Sequence, residues 1–268
     1  MNVLVFDIET VPDIDGGRRL YGLDGLSDED TVRAMQAQRR QETGGREFLR
    51  HHLHRVVAIS VVFRHPKLDE GIKVWSLGEP ESSETELIQH FFDGLERYTP
   101  TLVSWNGSGF DLPVLNYRAL INGVVASRYW EEGGGDREFR FNNYLNRFHK
   151  RHTDLMDVLS GYQGGAFAPL DEVAALTGLP GKMGMDGSQV LDAWLGGDTK
   201  GIRNYCETDV LNTYGVYLHW LVNTGSLAPD ELTSELDLLA AYLRRSDQPH
   251  LQAFHAAWRG EGEGTDDG

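Results

Sequence analysis

Residues Val3 to Glu9 constrain this chain more than any other stretch: an apolar run that ends in two carboxylates, Asp7 and Glu9, with only Ile8 between them. Side chains alternate faces along an extended strand, so Asp7 and Glu9 share a face with Val3 and Val5, while Leu4, Phe6 and Ile8 line the other. A segment apolar on both faces reads as a central strand of a sheet covered on both sides. Two adjacent carboxylates there repel each other and lose hydration, and something positive must compensate them. A divalent metal ion is the simplest such partner. The pattern also admits a plainer origin, in which the strand ends at Phe6 and both acids are solvated loop residues.

Further strand signals lie at Val56 to Phe63, Ile72 to Leu77 and Thr101 to Trp105, with a short one near Thr153 to Leu155. Helical spacing covers residues 84–97, with Leu87, Ile88, Phe91, Phe92 and Leu95 on one face, and Leu112 to Ile121, closed by Asn122-Gly123. Helices are also expected from Leu170 to Leu176 and from Thr199 to about Leu221. Strands first, then strands mixed with helices, indicate an α/β sheet with early hairpin-like pairing and later crossovers. Between the first two strands, Pro12 to Arg55 forms an insertion with a helix predicted to start at Ser27 and stop at Gly44-Gly45. It is too polar to hold a core of its own.

The net charge of −16 argues against a protein that grips nucleic acid over its whole surface. Locally the sign reverses. Residues 33–55 carry six arginines against Glu42 and Glu47, and residues 137–152 carry Arg137, Arg140, Arg147, Lys150 and Arg151 against Glu138. The second segment interleaves Phe139, Phe141, Tyr144 and Phe148 with its charges, a mixture that can track a phosphate backbone while stacking bases. A solvated basic loop whose aromatics pack inward would look the same. The one cysteine, Cys206, rules out an internal disulfide and a zinc–cysteine site and reads as a small core residue. No apolar stretch nears the roughly 20 residues that cross a bilayer, and the N-terminus lacks the basic-then-apolar order of a secretory signal. No membrane contact and a cytoplasmic location are therefore expected by default.

A third acid, Asp111, follows Ser104-Trp105-Asn106-Gly107-Ser108-Gly109-Phe110, where a strand runs into a small-residue loop and then a helix with Pro113 in its first turn. Asp111 suits an N-cap, and the same loop is where α/β folds place ligands. The fourth, Asp209, shares a helix face with Ile202, Tyr205, Cys206, Thr213, Val216, Tyr217 and Trp220. A carboxylate in that stripe needs a partner: Tyr205 one turn earlier, or an arginine at the helix edge.

Together these residues resemble the DEDD superfamily of 3′-5′ exonucleases, whose domains have a ribonuclease H-like fold. Asp7-Ile8-Glu9 is similar to the first exonuclease motif, Asn106 to Asp111 to the second, and Tyr205 with Asp209 to the third in its Y-x3-D form. The form with His five residues before the last Asp does not fit, because Asn204 stands there. The chain thus resembles the tyrosine (DEDDy) subgroup, and most closely the stand-alone predicted 3′-5′ exonucleases similar to the exonuclease domain of family B DNA polymerases. Segments 154–159, 179–182 and 205–210 add to that likeness. The resemblance implies a mixed sheet of about five strands flanked by helices over 1–225, with the insertion at 12–55 and a C-terminal helical extension at 226–259; residues 260–268, Gly-rich and acidic, are expected to form a disordered tail on composition. It also implies two-metal phosphodiester hydrolysis at the 3′ end of single-stranded nucleic acid, DNA rather than RNA, with Mg2+ or Mn2+. In the family's pattern Asp7 bridges both ions, Glu9 and Asp209 hold one, Asp111 reaches the other through water, and Tyr205 orients the attacking water. Ile8, Thr10, Asn106 and Phe110 stand where the family touches the terminal nucleotide.

Other signals are set aside. His51, His52, His54, His149 and His152 are not needed by a hard-metal site, and Gly181-Lys182 lacks the glycine spacing of a phosphate loop. Asp154 and Asp157 are assigned helix-start or structural roles. Two alternatives stay open: an RNA 3′-end exoribonuclease of ribonuclease D-like type, and an inactive nucleic-acid-binding module. No carboxylate or tyrosine is missing that would favour the latter.

Overall fold

Strand β1 (Val3–Pro12) occupies the middle of the sheet in the computed structural model, which describes residues 1–260. It pairs antiparallel with β2 (His54–Arg64), which pairs antiparallel with β3 (Ile72–Ser76). On its other side β1 runs parallel to β4 (Thr101–Ser104), and β4 parallel to β5 (His152–Asp154). The order β3-β2-β1-β4-β5 is the expected combination of an early meander with later crossovers. Because β1 continues to Pro12, Asp7 and Glu9 lie within the strand, and the solvated-loop origin does not apply.

Between β1 and β2 stand α1 (Ile14–Tyr21) and α2 (Asp28–Thr43). Helix α3 (Glu84–Tyr98) leads into β4, and α4 (Asp111–Asn122) leaves it. After β5 come three short helices, α5 (Leu155–Leu159), α6 (Leu170–Leu176) and α7 (Val190–Leu195), then the long α8 (Thr199–Asn223). Helices α9 (Pro229–Arg245) and α10 (Pro249–Arg259) end the described chain. No helix among the described residues is long and apolar enough to cross a membrane. The expected acidic tail, apart from Gly260, lies outside the described residues.

The two faces of β1 feed two cores. Leu4, Phe6 and Ile8 pack with Phe91 and Leu95 of α3 and Leu112 and Leu115 of α4. Val3 and Val5, with Val62 and Val74, pack against Val210, Leu211 and Tyr214 of α8. Leu239 and Leu243 of α9 and Phe254 of α10 complete that second core. A mixed five-stranded sheet covered on both faces by helices is the α/β ribonuclease H-like arrangement.

Local chemistry sets the helix ends where the sequence placed them. Ser83 and Glu86 form a reciprocal capping box on α3, and Ser27 caps α2, which stops at Gly44 with φ 72°. Helix α8 departs from expectation: it is buried on nearly all sides, since α6, α7, α9 and α10 cover the flanks that a single apolar stripe would leave wet. Helices α1 and α7 are additional to those expected from the sequence. Helix α1 contains Gly17, where a Cβ would fall 2.3 Å from Met35 Sδ, so tertiary contact with α2 decides this segment.

One buried ion cluster ties these layers together. Arg118 of α4 donates from Nε and Nη2 to both carboxylate oxygens of Glu84 (2.8 and 2.5 Å) and from Nη1 to Asp13 (2.5 Å). Glu84 also accepts from Val56 N at 2.8 Å, and Asp13 caps α1. Removing Arg118 leaves two acids uncompensated, so Arg118→Met should lower unfolding free energy in denaturant titration by about 3–5 kcal/mol. Arg118→Lys, which cannot make the two-pronged contact, should recover only part of it.

Candidate active site

The site begins where β1 outruns its parallel neighbour. Pairing with β4 ends at Val5 opposite Val103, so the later amides on that edge have no strand to bond. Ile8 N donates instead to Asp111 Oδ1, 3.2 Å away. The incoming loop is held by Asp154 of β5, whose two oxygens accept from Asn106 N (2.9 Å) and Ser108 N (2.8 Å) while also capping α5. Asn106 is left-handed at φ 63°, and a Cβ on Gly107 would meet Ser104 Oγ at 2.2 Å, which explains the small residues there. Asp111 is not the N-cap: Phe110 holds that position, and Asp111 is the first helical residue, with its carboxylate turned back onto β1. The free edge of β1 thus takes the oxygen that a cap would have used.

On the α8 face, Asp7 and Glu9 each offer an oxygen, and Cys206 its sulfur, all within 4.8 Å of one another, close enough to hold a metal ion. Cys206 is buried, as expected of a core residue, yet its Sγ also lies 3.6 Å from Asp7 Oδ2. Its position one residue after Tyr205 and one turn before Asp209 was the available signal for that role. Tyr205 stands where its hydroxyl favours the charged Asp209 carboxylate, and among the described residues no arginine pairs with Asp209.

Burial, then the charges of Asp111, Glu9 and Asp209, push the Asp7 carboxyl well above the usual carboxylate range. Glu9 is raised by burial and by Asp209 and Asp111. Burial lifts Asp111 to about 7 and Asp209 to about 6, the latter partly offset by its bond from Tyr205. Burial and the neighbouring Asp7 raise the Cys206 thiol, which keeps its proton. Among the described residues no arginine or lysine pairs with these four acids; the nearest cationic influence, Lys182 on Asp209, is itself paired with Asp186 at 3.3 Å. Oxygen donors that are partly or fully buried, mutually repelling and without a protein cation suit a hard divalent ion.

The remaining residues named from sequence gather beside this cluster. Thr10 follows a bulge after Glu9 and bonds His54 Nδ1 at 3.0 Å. Phe110 sits among Phe48 (5.5 Å), His51 (5.8 Å) and His54 (5.1 Å). Phe48, 62% exposed, and His51 extend that aromatic surface; Phe48 was not singled out in the sequence, and His51 was considered there only as a metal ligand and set aside. Among the described residues no histidine joins a metal-capable group. The basic segment 137–152 divides: Phe139 and Tyr144 are buried under Arg151, whereas Phe141 and Phe148 are exposed. In 33–55, Arg33, Arg39, Arg40 and Arg50 are engaged with acids of their own segment or of the first turn of α2. Asp157 pairs with Arg147 at 2.9 Å and, like Asp154, is structural.

A ribonuclease H-like domain with acids gathered on its central strand defines the class. Residues 46–258 match the family described as "Predicted 3'-5' exonuclease related to the exonuclease domain of PolB", and the chain belongs to that family. The match begins beyond β1, so Asp7 and Glu9 fall outside it. Among solved structures, the family B DNA polymerase from the hyperthermophilic archaeon Pyrobaculum calidifontis aligns over 97% of this chain at 17% identity and a TM-score of 0.46, and the chain spans 29% of that polymerase. A comparison with curated proteins finds no match.

The raised carboxyls carry a stability consequence. Unfolded Asp and Glu titrate near pH 4, so between about pH 4 and 7 the folded, metal-free protein binds more protons than the unfolded chain, and stability falls as pH rises through that window. In EDTA, Asp7→Asn should therefore melt higher than the wild type at pH 8, by roughly 2–4 °C for each kcal/mol of repulsion relieved. The gain should shrink at pH 5. A lower melting point at pH 8 would contradict the electrostatic account.

Proposed function

We propose that this protein is a metal-dependent 3′-5′ exonuclease of the tyrosine subgroup, which hydrolyses the last phosphodiester bond of single-stranded nucleic acid, DNA in preference to RNA. The observation that carries this reading is the convergence of Asp7, Glu9, Asp111 and Asp209 from β1, α4 and α8 with no arginine or lysine paired to any of them among the described residues. Family membership supports the reaction, and the family's relation to a DNA polymerase domain supports the substrate.

The four carboxylates would hold two Mg2+ or Mn2+ ions, Asp7 and Glu9 from the strand and Asp111 and Asp209 from either side. Bound there, such ions supply water activation and charge neutralisation at the scissile phosphate. Tyr205 keeps its proton, because burial and the nearby acids raise it far above neutral pH. It therefore orients the attacking water and does not deprotonate it. Phe110, widened by Phe48 and His51, offers a stacking surface for the terminal base, with Ile8, Thr10 and Asn106 around it.

With Mg2+ or Mn2+ the purified protein should shorten 5′-labelled single strands from the 3′ end, and Asp7→Ala should abolish this. Unchanged trimming by that variant would sink the site assignment. Tyr205→Phe should reduce kcat by about a hundredfold with little change in KM. Matched DNA and RNA strands in one assay decide the sugar: faster RNA trimming would reassign the substrate.

A further inference from the structure

Asp7 is connected to the C-terminal helices by a buried row of polar groups that the reaction described above does not use. In the sheet, Asp7 of β1 lies opposite Ser60 of β2, and Ser60 opposite Ser76 of β3. Both serines are buried on the sheet face that carries Val3, Val5, Val62, Ile72 and Val74. Their hydroxyls bond each other at 2.8 Å. Ser76 Oγ donates to Glu207 Oε1 at 2.7 Å, and Glu207 Oε2 accepts from His250 Nε2 of α10, also at 2.7 Å. At the other end the Cys206 thiol meets Ser60 and stands 3.5 Å from Asp7 O and 3.6 Å from Asp7 Oδ2.

Counting hydrogens gives this row a direction. The Glu207 carboxylate only accepts, so Ser76 must spend its one hydrogen on it, and Ser60 must then spend its own on Ser76. Neither serine has a hydrogen left for sulfur. The single thiol hydrogen of Cys206 therefore faces acceptors on both sides, Ser60 Oγ and the two Asp7 oxygens, and only when shared between them in a three-centre contact does it join the serines to the carboxylate. Apolar residues at positions 60 and 76 would pack more simply in this core, since buried hydroxyls gain little unless a partner requires them. Outside the row, His250 donates through Nε2 to Glu207, and its buried Nδ1 has no hydrogen-bond partner.

We propose that Glu207, Ser76, Ser60 and Cys206 are positioning residues that fix the orientation of the Asp7 carboxylate, with His250 anchoring the row from α10. This inference rests on the role given to Asp7 above. The C-terminal helices then support the site itself, and damage at their contact with α8 reaches Asp7 without touching substrate.

The test uses the full chain and two readouts: Mn2+ binding by calorimetric titration without nucleic acid, and kcat and KM on a 5′-labelled single strand. Cys206→Ala and Ser60→Ala should each weaken Mn2+ binding and lower kcat by roughly tenfold, with KM within about twofold of the wild type. Cys206→Ser, which restores a donor, should recover both to within about threefold. Ser60→Ala leaves the sulfur in place, so its effect separates a positioning row from direct ligation by Cys206. The proposal is overturned if Cys206→Ala matches the wild type in both readouts, if Ser60→Ala is silent, or if Cys206→Ser is as defective as Cys206→Ala. A wild type that binds Mn2+ but trims nothing would remove the exonuclease assignment while the Mn2+ comparison still decides the row. Wild type that trims normally alongside silent variants would remove the row alone. A wild type that fails to bind Mn2+ would overturn both.

Discussion

Repulsion among carboxylates crowded together with little access to water is the interaction on which the rest of this structure turns. Asp7 and Glu9 are carried into the interior by a strand that must be central, because it is apolar on both faces and each face has its own helical core. Asp111 and Asp209 add their charge to the same point, and the protein supplies no counter-cation there. Such an arrangement costs folding free energy in the metal-free state. It is tolerable because two large cores surround it, and it is useful if the missing charge arrives with a ligand.

The scaffold delivers the acids by exploiting unequal strand lengths. Since β4 stops early, β1 has a free edge, and Asp111 occupies it through Ile8. Asp154 fixes the loop between them by accepting two of its amides, so a residue with no catalytic assignment sets where the second motif stands. On the other face, α8 lies across β1 and β2 and brings Tyr205, Cys206 and Asp209 down onto Asp7. Helices α9 and α10 cover α8 in turn. In the proposed positioning row they also reach through Glu207 to the strand.

Much of the sheet and the long helices was legible in the sequence, because period-two and helical spacing reflect burial that each segment meets independently. Residues 84–97, 112–121 and 170–176 fold close to their expected limits, since caps and glycines act locally. Helix α8 looked like a one-sided stripe, because its own periodicity records nothing of the docking of α6, α7, α9 and α10 that covers its other flanks. Asp111 was read as a cap for a related reason: the competing donor, Ile8 N, lies 103 residues away. Phe48 and His51 carried no local sign of their place beside Phe110, which the return of the insertion onto β2 creates.

The sequence by itself determined that Asp7 and Glu9 share one face wherever the strand runs through them, and that Tyr205 and Asp209 share one turn of a helix; that the strand does run through the two acids was settled by its pairing with β2. Alternation and helical periodicity are properties of the backbone and need no partner to be true. Tertiary structure alone decided that these pairs meet, that Asp111 turns to the strand, and that Cys206 stands between Asp7 and two buried serines. Those contacts depend on strand register and on the angle at which α8 crosses the sheet. Both are fixed by packing between segments far apart in the chain, so no local pattern encodes them.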